Sequence, residues 1–153
     1  MKTRKTLVMI FALTLFSLSF AQGARDEKAS RPHAYVLPDA IKWQPLMAGV
    51  ELAVVSGNPQ KEGEEFVLRL RAKAGTKIPP HWHPTDEHLT VLKGTLFAGM
   101  GEKMDGVVAQ EMAAGAYAFL PKNMAHFIIA KEDSEAQIHG LGPFKTVWVN
   151  QNK

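Results

Sequence analysis

The sequence predicts an all-β fold, a sandwich or barrel of short strands. Three observations predict it. Short runs rich in β-branched and aromatic residues recur between residues 50 and 150, Gly, Pro, Asn and Asp stand between them, and no helical period of apolar residues follows residue 21.

At 153 residues the chain has the size of one ordinary domain and can bury a core without disulfide staples. Hydrophobic residues make up 46% and charged residues 22%, which separates the chain from the disordered class. There is no cysteine, so disulfides, thiolate metal sites, iron–sulfur clusters and a cysteine nucleophile are excluded. Any metal must be held by nitrogen and oxygen.

Residues 1–21 read as a secretory signal peptide. Lys2, Arg4 and Lys5 precede an apolar run from Leu7 to Phe20, and Ser19 and Ala21 are the small residues of a cleavage site. The run is shorter than the roughly 20 residues of a membrane-spanning helix. The expectation is a secreted or periplasmic protein with no stable membrane anchor. Residues 1–21 hold three of the 18 basic residues and none of the 15 acidic ones, leaving 15 against 15. The remaining chain is formally neutral, which gives no footprint for nucleic acid.

Residues 22–47 form a leader and an N-terminal edge segment. Gln22 to Pro32 is polar without an apolar period, and Tyr35 to Met47, with Pro38, Trp43 and Pro45, suits an edge strand or a packed loop. The barrel domain spans residues 48–150. Its expected strands are Val50–Ser56, Glu65–Arg71, Thr76–His81, Glu87–Lys93 and Thr95–Met100. They continue with Val107–Glu111, Ala116–Leu120, Ala125–Ala130, Ala136–Gly140 and Phe144–Asn150. Phe66, Leu68 and Leu70 alternate with Val67, Arg69 and Arg71, as a strand with one buried face requires.

Between Gly75 and Gly94 the chain reads GTKIPPHWHPTDEHLTVLKG. His81 and His83 stand two apart, so on an extended chain their imidazoles share one face. Pro84, Thr85 and Asp86 turn the chain, and Glu87 brings a carboxylate back toward the same point. A fourth donor comes from His126, which follows a turn at Pro121–Asn123 and shares a strand face with Ile128 and Ala130. Such a polar ring inside an apolar barrel is costly unless it is paired or ligated. The expected interior beside it is Leu89, Val91, Phe119 and Ile128. His88 falls on the opposite strand face from Glu87, and Trp82 points away from the histidines into packing between sheets. His139 is a candidate acid–base or substrate contact. There is no phosphate-binding Gly-rich loop and no Gly-x-Ser-x-Gly elbow.

These residues resemble the cupin family. Its first motif, G-x5-H-x-H-x3-E-x6-G, is met by Gly75, His81, His83, Glu87 and Gly94 at every spacing. Of its second motif, G-x5-P-x-G-x2-H-x3-N, Gly115, Pro121 and His126 match, while Asn123 replaces a glycine and Ala130 an asparagine. Asparagine tolerates the left-handed conformation of a turn glycine. The resemblance implies a double-stranded β-helix (jelly roll), often a homodimer. It also implies one divalent transition-metal ion, Fe, Mn, Ni, Zn or Cu, on His81, His83, Glu87 and His126. Imidazole and carboxylate donors do not choose among these ions without geometry.

Two functions fit such a site. One is a metal-dependent enzyme, an oxygenase, decarboxylase or isomerase acting on a small oxygen-bearing molecule, with Glu87 as ligand and proton shuttle and His139 or His88 as acid–base group. The other is a non-catalytic module that binds or senses a metal or small ligand in the periplasm.

Overall fold

The computed structural model describes residues 33–149. The expected signal peptide lies outside them, as does the leader as far as residue 32. Contacts divide the chain into Met1–Ala34 and Tyr35–Lys153, and every strand among the described residues belongs to the second unit. Among the described residues, no helix is long and apolar enough to cross a membrane.

Two antiparallel sheets make a jelly roll. The first contains, in spatial order, β1 (Gln44–Met47), β2 (Val50–Gly57), β3 (Glu65–Ala72), β10 (Ser134–Leu141), β5 (Glu87–Lys93) and β8 (Tyr117–Leu120). The second contains β11 (Val147–Trp148), β4 (Lys77–Trp82), β9 (His126–Ala130), β6 (Thr95–Met100) and β7 (Gln110–Ala113). Because β10 returns to lie between β3 and β5, residues far apart in sequence meet on one sheet face.

Alternation decides the faces. In β3, Phe66, Leu68, Leu70 and Ala72 are buried, while Arg69 and Arg71 lie outside and pair with Glu135 at 2.8 and 3.3 Å. Leu68, Leu89 and Ile138 from the first sheet meet Ile78, Leu96 and Ile128 from the second in one apolar cluster. Each such side chain contributes about 1.5–3 kcal/mol by leaving water, so this cluster outweighs the partly exposed ion pairs, worth about 0–1 kcal/mol each.

The segment read as an edge strand or packed loop is both. Pro38–Ala40 forms a turn of 3-10 helix, and Gln44–Met47 pairs with β2 at the sheet edge. Two expectations are corrected. Val107–Glu111 is not a strand: β7 starts at Gln110, and Val108 is 94% exposed. The reason is register, since Ala98 pairs with Gln110 and the last residues of β6 pair only with β9, leaving Val107 and Val108 no ladder partner. Phe119 is not interior either. On β8, Ala118 and Leu120 turn inward, so Phe119 lies on the outer face.

Two turns use a left-handed backbone, and the second of them lies beside the site. Gly94 has φ 75°, and a Cβ there would meet the carbonyl oxygen of Asp133 at 2.7 Å. Asn123 has φ 60° and is the one non-glycine residue with positive φ among those described. The asparagine thus adopts the conformation for which a turn ordinarily uses glycine.

Candidate metal centre

The site begins with two prolines. Pro79 and Pro80 cannot donate to a ladder, and the pairing of β4 with β9 slips between Ile78 and His81. Beyond the slip, His81 stands directly across from His126, with ring centroids 4.4 Å apart. His83 follows at the end of β4, and its ring lies 5.1 Å from His81 and 5.4 Å from His126.

The loops that carry these residues are tied together. The Lys122 amide donates to the Asp86 carboxylate at 2.8 Å, and the Asn123 amide donates to the His83 carbonyl at 2.8 Å. The turn before β9 and the turn before β5 therefore hold each other. Glu87, the first residue of β5, points inward, with its Oε2 3.1 Å from His83 Nε2 and 3.4 Å from His126 Nε2. All four side chains are buried.

The outer nitrogens of the three rings fix what the inner ones present. His81 Nδ1 lies 2.7 Å from the Pro79 carbonyl oxygen, His83 Nδ1 2.9 Å from that of Lys145 and His126 Nδ1 3.1 Å from that of Met124. A carbonyl only accepts, so each Nδ1 carries the proton. A neutral imidazole protonated there offers an Nε2 lone pair, and three such lone pairs lie close enough to hold one metal ion.

Burial lowers His81 to about 4, with His126 adding to the effect, so this ring is neutral at physiological pH. Glu87 Oε2 faces two of these lone pairs and is buried without a hydrogen-bond partner. Lone pairs on two sides do not satisfy it. A divalent cation between Glu87 and the three Nε2 atoms does, so the residues present fit such an ion.

The four residues face a cavity of about 40 Å³. That is room for an ion and one or two water-sized ligands. Eleven further side chains line it, of which ten are aliphatic or aromatic and one is Thr146. Phe144 stacks on His83 at 4.0 Å between ring centroids, and Trp148 lies 5.3 Å from His81. A larger groove of about 590 Å³ contains none of the four residues. Its lining charges include the Lys73–Asp133 and Arg71–Glu135 pairs.

The fold thus brings His81, His83, Glu87 and His126 together and leaves His139 outside. His139 follows the inward Ile138 on β10, so it is exposed on the outer face, stacked on its cross-strand partner His88 at 4.9 Å. His88 is on that face as well, with Nδ1 2.7 Å from the Tyr117 hydroxyl. Trp82 faces away from the cavity, half-buried. Reading the sequence missed Phe144, Thr146, Trp148 and Leu46. An aromatic two residues beyond Gly142 carries no local signal of what it packs against.

The family of the ChrR cupin-like domain matches residues 31–145, most of the chain. The chain belongs to this cupin family. Among curated proteins, germin-like protein 2-4 of Oryza sativa subsp. japonica is 30% identical to the cupin over 79 residues, 51% of this chain. The match spans 34% of that relative's length. Among solved structures, the polyketide cyclase RemF of Streptomyces resistomycificus superposes with a TM-score of 0.63 at 12% identity, covering 81% of the cupin and 89% of RemF. A cupin described as RmlC-like from Shewanella frigidimarina gives 0.59 at 12% identity, covering 72% and 91%. KdgF from Halomonas sp. gives 0.58 at 14% identity, covering 72% and 96%. At these identities the structural likeness is one of fold.

Proposed function

We propose that this cupin is an exported metal-dependent enzyme of the oxygenase type, acting on a small organic molecule through an oxygen atom. His81, His83, Glu87 and His126 hold the ion. The observation that carries the proposal is the orphaned Glu87 Oε2, set in an apolar-lined cavity opposite three imidazoles whose Nδ1 protons are all engaged elsewhere.

When bound, a divalent transition metal supplies a Lewis-acid and redox centre to which a substrate oxygen can attach. The protein's own part is positional. The three carbonyl contacts lock the imidazoles, Glu87 offsets one of the ion's two positive charges, and the aliphatic lining excludes bulk water. Apart from the four site residues, no described side chain lining the cavity is an acid or a base. A decarboxylase or isomerase that needs a separate proton carrier is served less well than a reaction centred on the metal. Besides holding the ion, Glu87 is the one acid among the described residues lining the cavity and so serves as the proton shuttle.

The same scarcity of polar groups favours a second reading, a binding or sensing module without turnover. Oxygen uptake and product formation by the metal-loaded protein separate the two. The enzyme reading expects turnover that Glu87→Gln abolishes. Ligand-induced thermal stabilisation with no oxygen consumption and no product, across phenolic and carbonyl compounds, supports the binding module instead.

A further inference from the structure

We infer that the ligand or substrate of this site has a compact oxygen-bearing head and a planar apolar body, and that Trp148 and Leu46 hold the body at the cavity mouth. The inference rests on the reading of the site as a metal centre and adds the class of molecule it takes.

Size comes first. A cavity of about 40 Å³ accepts an ion and one or two further atoms, so only the head of an organic molecule enters. The rest must stay at the opening, and burial locates that opening. Of the side chains lining the cavity, Leu46 and Trp148 alone are exposed, at 44% and 46%. Leu46 comes from β1, at the edge of one sheet, and Trp148 from β11, at the edge of the other.

Register ties this mouth to the centre. Trp148 pairs with His81 across β11 and β4, and His81 pairs with His126 across β4 and β9. The three rings form one row on a single sheet face, running from the rim to the interior. A molecule whose oxygen reaches the Nε2 cluster therefore lies beside the Trp148 indole. A broad aromatic surface facing an aliphatic side chain suits a flat apolar body.

The lining also discriminates against other chemistries. Among the described residues it holds no lysine or arginine, so the second carboxylate of a dicarboxylate finds no partner charge. It holds one hydroxyl, that of Thr146, so most hydroxyls of a sugar would enter unpaired.

The test is calorimetric titration of the Zn(II)-loaded protein, which avoids redox turnover, with 4-methylcatechol, succinate and D-glucose as probes. Metal content is measured first. The expected result is that 4-methylcatechol binds at least about tenfold more tightly than succinate or glucose. Trp148→Ala and Leu46→Ala should each weaken it by several-fold to about tenfold, with Trp148→Phe restoring most of the loss. Succinate or glucose binding the wild-type protein within about tenfold of 4-methylcatechol, or no binding of 4-methylcatechol, overturns the inference, needs no variant to fold and leaves the metal centre standing. Equal affinity of 4-methylcatechol for the wild-type and folded Trp148→Ala proteins does the same. A wild-type protein that takes up no Zn(II) overturns the metal reading and this inference with it.

Discussion

His83 Nδ1 lies 2.9 Å from the backbone carbonyl oxygen of Lys145, 62 residues further along the chain. Through this contact the C-terminal segment sets the tautomer and orientation of one imidazole of the central cluster. Phe144, the preceding residue, stacks on the same ring at 4.0 Å and packs on Phe66 at 4.9 Å.

Phe144→Ala should therefore act on stability and on the site together. Removing a buried aromatic costs about 3 kcal/mol, and loosening a ring that ligates a metal lowers affinity by roughly tenfold or more. Urea unfolding of the metal-free protein and competition against a chelator measure the two effects separately. A loss of stability with unchanged metal affinity would show that the stack does not position His83.

The metal-free protein should lose stability as the pH falls from about 6.5 to about 4. His81 titrates near 6.5 when unfolded and near 4 when folded, because burial disfavours its charged form. Between those values the unfolded state binds more protons, so stability falls with pH, and below about 4 this contribution is flat. The size is on the order of 3 kcal/mol. Urea midpoints across this range, compared with those of His81→Gln, isolate the contribution, and an unchanged slope in the variant would contradict it.

Much of this is legible in the sequence alone. His81, His83 and Glu87 were readable because strand parity is local, and the second histidine motif because a proline–asparagine turn announces β9. Parity also places His139: if Ala136 and Ile138 face inward, their neighbour faces out, away from the cavity. Trp148 and Leu46 were not readable. They reach the centre through the edges of two different sheets, and pairings such as Trp148 with His81 span more sequence than any local pattern encodes. Val107 and Val108 misled for the related reason that a β-branched pair makes no strand without a ladder partner.

Gly99→Ala should destabilise the fold by about 1–3 kcal/mol. Gly99 pairs with Phe127 across β6 and β9, and a Cβ there would collide with the Phe127 ring, which is fully buried. Combining the change with Phe127→Leu should recover part of the loss, as read from thermal midpoints. Additive losses in the double variant would mean that the two positions do not share the space.

Asn123→Val should cost about 1–2 kcal/mol, whereas Asn123→Gly should be close to neutral, because φ is 60° at this position. Since the Asn123 amide also donates to the His83 carbonyl, the valine variant should bind metal more weakly as well. Far-ultraviolet circular dichroism melts and chelator competition check both effects. Equal stability of the two variants would contradict the left-handed turn.

The central claim is tested most directly by counting metal atoms per chain in protein purified from its native compartment, for the wild type and for the His81→Ala/His83→Ala double variant. One divalent transition-metal ion per wild-type chain, and none in the double variant, is the predicted result. Full occupancy after both imidazoles are removed would contradict it.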